Sequence, residues 1–424
     1  MIATPLLRLM PLLFLLPLTM PAAAQPVPGS PVHIGVIVPD IADSGDLRFS
    51  VGQSAQHGAI MAEEEFGLNA SMFELDFDVV TAEANGADVV AAAERLVAED
   101  KVFALAGGFT GEEASLLSAW SAEHGLPFVN LLASDDALRN QSCAATSFHV
   151  APSAAMYLDS LAGWYVRAGF RNWFVVQADS TQSTSHAERL SRALNDRHFG
   201  AREVGHAVVP PGAVMPQSVV DEIRGSGADV VVLLVDAADQ LADLAALDAA
   251  GLDLMVTGFP YAEAQTRDFF ARSRAAAPTL GIGMRATAWE PTLDAYGARE
   301  LNARYMDRWE EPMEAGAWAT YQGVKVLFEA AMFGGSTDSA DVLGYLSAPT
   351  SVFDVWKGIG TSFRPWDHQL RQPLYLTQID GAATEPKLMG QLVGELPAIY
   401  MPGTDPVERL DQMGDLEAQS ECRF

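Results

Sequence analysis

Short apolar runs alternate with amphipathic stretches along most of the chain. Residues 33–38 read HIGVIV, apolar on both faces, which predicts a buried parallel strand. Beyond them Val51, Ala55, Ala59, Ala62 and Phe66 recur at helical spacing and share one face, predicting a helix over about 51–66. Residues 73–80 (FELDFDVV) alternate and predict a strand. A helix is expected over 88–97, a strand over 102–107, a helix over 110–124 and a strand over 126–132. The rhythm resumes after residue 150. Strands are predicted over 172–179, 228–235, 252–258 and 279–284, with helices near 185–197 and 238–250. Repeated strand–helix units imply parallel sheets covered by helices on both faces. The strands are too many for one compact sheet, so the pattern predicts an α/β fold of two doubly wound parallel-sheet lobes.

In open parallel sheets, ligands bind beyond the carboxyl ends of the strands. The loops at 39–50, 107–113, 133–140, 179–185 and 259–263 hold those positions. Residues 1–24 stand apart from the pattern. Arg8 is their one charge, Leu12–Leu16 form an apolar core, and Ala22–Ala24 precede Gln25, which reads as a secretory signal peptide. A short membrane anchor is the alternative, but Pro11, Pro17 and Pro21 interrupt a run already short for a bilayer span. Periplasmic export of a chain without membrane insertion is therefore expected.

Export places the two cysteines, Cys143 and Cys422, in an oxidising compartment. A bridge between them would close a loop of about 280 residues, worth roughly 5 kcal/mol in the chain-entropy model. Two free thiols are the alternative. No CxxC pair is present, so neither a thioredoxin-like motif nor a cysteine-rich zinc site is expected.

Charge narrows the function classes. The 424 residues carry 26 Lys+Arg and 55 Asp+Glu, a net charge of −29. Such a chain repels phosphate backbones and anionic lipid surfaces, which argues against nucleic-acid binding. There is no GxxxxGK[ST] phosphate loop, HExxH or GxSxG motif, and no nucleophile–base pair is legible, so an enzyme is not expected. Residues 107–111 (GGFTG) lie between a predicted strand and a helix start. They read either as an anion cradle of exposed amides or as a tight turn with Thr110 as N-cap. Residues 356–371 gather Trp356, Lys357, Phe363, Arg364, Trp366 and Arg371. This cluster reads either as a wall for a flat anionic ligand or as lobe packing with salt bridges to surplus carboxylates. Arg285 and Trp289 form a second such pair, with the same two readings.

Four stretches carry a family resemblance. Residues 51–70 (VGQSAQHGAIMAEEEFGLNA), 94–110 (ERLVAEDKVFALAGGFT), 126–138 (LPFVNLLASDDAL) and 316–332 (GAWATYQGVKVLFEAAM) resemble segments of type I periplasmic solute-binding proteins of the branched-chain amino-acid ABC transporter family. The resemblance implies two lobes on a hinge, crossed three times by the chain. Lobe one would take 27–150 and 286–350, lobe two 151–285 and 351–390, with a tail over 391–424. It implies a small-molecule ligand between the lobes, an ABC permease as partner and no required cofactor. The family's Ser/Thr-rich ligand loop is here 107–113, with Thr110 but no serine, and its Tyr-Gly is replaced by DSTQSTS at 179–185. Both departures disfavour leucine-like ligands.

Residues 363–373 (FRPWDHQLRQP) resemble a stretch in binding proteins associated with pyrroloquinoline quinone (PQQ)-dependent alcohol dehydrogenase systems. That branch implies PQQ, flat and tricarboxylate, as the favoured ligand, and a quinoprotein dehydrogenase system as a partner. Arg48, Arg139, Arg285, Arg364 and Arg371 are then the expected carboxylate forks, Phe109 and Thr110 belong to the ligand loop, and Trp289, Trp356 and Trp366 would stack on the rings. An amino acid or small carboxylate is the alternative ligand. An accessory role without transport is the alternative function.

Overall fold

The computed structural model describes residues 29–40, 45–397 and 403–424. The expected signal peptide, 1–24, lies outside them. In the first lobe the chain runs β1 (Pro31–Val38), α1 (Leu47–Met72), β2 (Asp76–Glu83), α2 (Asp88–Glu99), β3 (Ala104–Gly107), α3 (Gly111–His124), β4 (Phe128–Asn130) and β5 (Ser147–His149). The strands form one parallel sheet in the order β2-β1-β3-β4-β5. The second lobe follows with α4 (Ala154–Ala168), β6 (Asn172–Ala178), α5 (Thr181–Arg192), β7 (Arg202–Val209), α6 (Gln217–Ser226), β8 (Val230–Leu234), α7 (Ala237–Ala249), β9 (Met255–Gly258) and α8 (Arg267–Ala276). Its parallel sheet has the order β7-β6-β8-β9. Both sheets are doubly wound, and their winding reverses beside β1 and beside β6.

A third, antiparallel sheet of β10 (Met284–Thr287), β11 (Leu374–Ile379) and β12 (Gly390–Leu396) completes the fold. The apolar run over 279–284 accounts for only the start of β10. Gly281 packs against the backbone of Ser273, and the strand begins where that turn ends. Three further helices, α9 (Ala298–Trp309), α10 (Ala315–Gly334) and α11 (Ser339–Ser347), return to the first lobe.

α1 is longer than its apolar stripe. Asp46 caps it, accepting from the Arg48 amide at 2.9 Å, and its last turns leave Leu68 and Met72 exposed. α10 is buried on nearly every face, as a helix through a core must be. It lies on α1, where Gly58 meets the carbonyl of Ala317 so closely that a Cβ would clash.

The chain crosses between lobes near 151–153, 287–288 and 372–373. Val150, Ala288 and Leu370 belong to the first core, whereas Ala154, Ala286 and Leu374 belong to the second. Residues 351–372, expected in lobe two, pack on lobe one instead. Phe363 meets Phe148 edge-on at 5.0 Å, His368 stacks on the same ring at 4.2 Å, and Gln369 pairs with His149 at the free edge of β5. The aromatic rings take the place that a covering helix would otherwise fill. After β12 the tail continues through α12 (Pro406–Leu410) to a disulfide between Cys422 and Cys143, whose Cα atoms are 5.8 Å apart.

Candidate functional site

The carboxyl ends of the two parallel sheets face each other across a cleft of 860 Å³. Lobe one supplies Asp46–Arg48 after β1, Phe109–Glu113 after β3 and Leu132–Asp135 after β4. Lobe two supplies Gln182 after β6, Asp236–Ala238 after β8 and Tyr261–Glu263 after β9, with Leu241 and Arg272 from the flanking helices. This is where open parallel sheets bind ligands.

The β3–α3 loop is already filled by the chain itself. Gly108 takes φ +80° so that the backbone can turn into α3. Thr110 then caps the helix, its hydroxyl accepting from the Glu113 amide at 3.3 Å. Glu113 folds back, and its Oε2 accepts from the amides of Thr110 at 3.1 Å and Phe109 at 3.2 Å. Its Oε1 accepts from Gly86 at 3.2 Å and from Arg48 Nη2 at 2.9 Å. An anion does sit at this helix start, and it is a side chain. The T-x-x-E spacing of Thr110 and Glu113 was the signal for it.

Among the described residues the wall carries six carboxylates (Asp46, Glu112, Glu113, Asp135, Asp236 and Glu263) against two guanidinium groups, Arg48 and Arg272. Both cations are spent locally. Arg48 holds Glu113 and lies 4.0 Å from Glu263; Arg272 holds Asp268 at 2.8 Å and donates to the Gly45 carbonyl at 3.0 Å. Burial raises the Asp135 carboxyl against the opposing pull of Arg139, and raises Glu263 against a backbone hydrogen bond and Arg48. Tyr261 and Phe109 provide the ring surface. Tyr261 packs on Phe259 at 4.7 Å, and Phe259 in turn stacks on the buried His186 at 3.9 Å.

Of the residues expected at a ligand, the structure brings Arg48, Phe109 and Thr110 to this cleft. The others are occupied elsewhere. Arg139 is buried beside the first crossing, donating to Gln369 Oε1 and the Ala151 carbonyl, both at 2.6 Å. Arg285 is buried against Phe269 at 4.6 Å and donates to Gln240 Oε1 at 2.8 Å. Burial lowers both guanidinium groups to about 10. Trp289 stacks on Trp318 at 5.6 Å and donates to Asn302 at 2.9 Å, inside the first core. Trp356 lies under Arg304 at 5.5 Å.

The cluster of Arg364, Trp366 and Arg371 grips the tail rather than a ligand. Arg364, 1% exposed, donates from Nη2 to the carbonyls of Leu410 (3.0 Å) and Met413 (2.7 Å). Asp411 is shared by Arg364 Nε at 3.0 Å and Arg371 Nε at 2.7 Å. Both guanidinium groups stand over the Trp366 ring, at 5.4 and 5.3 Å. Aromatic planes and Arg forks do converge here, but the carboxylate they fork is internal.

Asp135, Gln182, Asp236, Tyr261 and Glu263 were not singled out by residue type. Their loops were legible as strand ends, yet nothing in a lone acid or amide distinguishes a cleft wall from a solvated turn. Contacts that cross the cleft include Gln182 to Asp135 at 3.2 Å, Arg272 to Gly45, Arg48 near Glu263, and the packing of Leu47 with Ala237.

The chain matches the family described as periplasmic binding protein over residues 31–384. Among solved structures it is similar to a branched chain amino acid ABC transporter periplasmic ligand-binding protein from Burkholderia xenovorans LB400. Identity is 17%, coverage 86% of this chain and 95% of that one, and the TM-score 0.75. It is similar to an ABC transporter solute binding protein from R. palustris in complex with benzoate, at 14% identity, 93% and 99% coverage and TM-score 0.69. It is also similar to a branched-chain amino acid transporter substrate binding protein from Streptococcus pneumoniae in complex with isoleucine, at 16% identity, 86% and 98% coverage and TM-score 0.68. No curated protein sequence matches the chain. At these identities the structural likenesses speak to the fold.

Proposed function

Because the chain belongs to the periplasmic binding protein family, we propose that it is an exported, non-catalytic solute-binding component of an ABC transporter whose cleft captures a small solute carrying an ammonium or other cationic group. The observation that carries this reading is the cleft wall, with six carboxylates against two guanidinium groups that are both already paired. A wall of that sign, with Glu113 buried, Asp135 and Glu263 half-buried and the other three exposed, favours a cation and raises the cost of an anion. The net charge of −29 adds long-range attraction of the same sign.

A tricarboxylate such as PQQ would meet Asp135, Asp236 and Glu263 in the cleft, while Arg364 and Arg371 are engaged by the tail. A free amino acid would need donors for its α-carboxylate, and the Phe109 and Thr110 amides are held by Glu113. An amine without that carboxylate avoids both conflicts. Closure of the two lobes around it would then present a surface to a permease.

Calorimetric titration of the mature, ligand-stripped protein tests the reading. The panel is primary amines and diamines, amino acids, benzoate and PQQ. Saturable one-to-one binding of an amine, weakened by salt, is expected. Heat from the quinone or from benzoate with silence from every amine would overturn the cationic reading. Silence from the whole panel would favour the accessory role.

A further inference from the structure

The tail runs beyond the family match, which ends at residue 384, and it touches both lobes in turn. It leaves β12 in the antiparallel sheet of lobe two. At Leu410–Met413 it is held by Arg364 and Arg371, on the segment that packs on lobe one. It then returns to lobe two. The Met413 sulfur accepts from Ser160 at 3.1 Å and the Gly414 amide donates to Asp159 at 3.1 Å, both on α4. Asp415 takes both terminal nitrogens of Arg189 on α5, with Nη2 at 2.7 Å. Arg189 also holds Asp136 of lobe one through Nε at 3.1 Å. The tail ends on lobe one, where the Glu421 amide donates to Asn140 at 2.7 Å and Cys422 is bonded to Cys143.

We propose that residues 403–424 form a fourth connection across the hinge, closed by the Cys143–Cys422 disulfide, which limits how far the two lobes can separate. The reach of the chain sets the limit. Between Asp415 on α5 and Cys422 on lobe one the backbone spans at most about 25 Å when fully extended. Part of it is coiled in a short 3₁₀ turn, Glu417–Gln419, so the slack is smaller. The Asp136–Arg189–Asp415 triad lies where these surfaces meet, with side chains 13%, 9% and 18% exposed. Opening the lobes at this point has to break the bonds of Arg189 to Asp136 or to Asp415, because the disulfide holds the tail to lobe one. The three other crossings are single strands of backbone, free to absorb a rotation.

The test needs no ligand and stands apart from the identity of the solute. Nitroxides on ketone-bearing residues introduced at the exposed positions Glu94 (α2) and Glu222 (α6) report the inter-lobe distance by pulsed electron resonance. The full-length wild type is expected to give a narrow distribution. The paired C143S/C422S variant, verified as folded by circular dichroism, is expected to give a broader one shifted to longer distances. Asp415→Asn, which leaves the disulfide intact, should fall between them. Distributions in both variants that overlay the wild type would overturn the proposal and leave the tail as a covering of the surface.

Discussion

Gln182 of lobe two donates its side-chain amide to both carboxylate oxygens of Asp135 in lobe one, at 3.2 and 3.4 Å. The bond lies in the middle of the inter-lobe space. On one side is the 860 Å³ cleft and on the other a 630 Å³ cavity walled by α5 and the tail; both residues line both spaces. Among the described residues a neutral amide is the only side-chain donor to this carboxylate, while Arg139 donates to the Asp135 backbone carbonyl at 3.0 Å, so no cation is bonded to the carboxylate itself.

Asp135→Asn should therefore weaken binding of a cationic solute by about ten- to a hundredfold, the range for a lost charge-assisted hydrogen bond of about 1.5–3 kcal/mol. Calorimetry on the same amine reads it directly. Glu112→Gln, at an exposed position on the rim, should change affinity far less. Equal losses in the two variants would point to the overall field and away from Asp135.

Glu113→Ala tests the occupied helix start. The substitution leaves the Phe109 and Thr110 amides and Arg48 without their internal anion. A small carboxylate such as benzoate should then bind more tightly than it does to the wild type, since a helix N-terminus with free amides attracts an anion. The lost cap should cost about 1–2 kcal/mol of stability in urea unfolding. A variant that stays indifferent to benzoate would show that the amides do not reach the cleft.

Arg364→Ala should cost about 3–5 kcal/mol of stability, because it strips a buried cation from Asp411 and frees two tail carbonyls. Ligand affinity in the folded variant should be unchanged. The pairing of lost stability with retained binding separates a tail anchor from a ligand fork.

Glu314 stands at the start of α10, accepting from the amide of Arg267 in lobe two, and burial raises its carboxyl to about 7. A native acid titrating above its unfolded value of 4.5 holds a proton that the unfolded chain has lost. This group's contribution is therefore fully favourable below about 4.5 and declines as pH rises toward 7. Glu314→Gln should gain on the wild type over that window, by up to about 3 kcal/mol at pH 8. Thermal midpoints of the two proteins from pH 5 to 8 check the sign; parallel curves would place the titration elsewhere.

Gly58→Ala should loosen the α1–α10 contact, since the added Cβ meets the Ala317 carbonyl, a backbone atom that cannot rotate away. Overpacking of this kind costs about 1–3 kcal/mol, readable as a lower urea midpoint.

The fold was legible because its signal is periodic. HIGVIV, NWFVVQAD and ADVVVLLV are apolar wherever a central parallel strand must be, and each lies in a strand bonded on both sides. β7 was not legible, because an edge strand leaves Arg202, Glu203 and His206 exposed or half-exposed. The ligand loops followed from the strand ends, but their chemistry did not. Arg364 and Arg371 attracted notice as cations in an acidic chain, and their partner Asp411 lies forty residues further on, where composition cannot reveal a pairing. Nothing in residue type alone separates Glu113 from a solvated first-turn acid; what distinguishes it is that Oε2 accepts from the Phe109 and Thr110 amides.

The helix that fills the first lobe's core reaches it late. α1 and the first sheet are encoded within residues 31–149, yet α10, which covers them, is encoded only at 315–334. The parallel sheet of the second lobe, residues 172–258, is contiguous, but one of its faces shares a core with Leu374, Leu376, Leu396, Leu410 and Met413. As the chain is threaded out from its amino end, the apolar face of α1 must wait through the whole of the second sheet before it is covered. Neither lobe is finished when its parallel sheet has emerged: the first waits for α10 and the second for residues 374–413, so both leave apolar surface open in the interval.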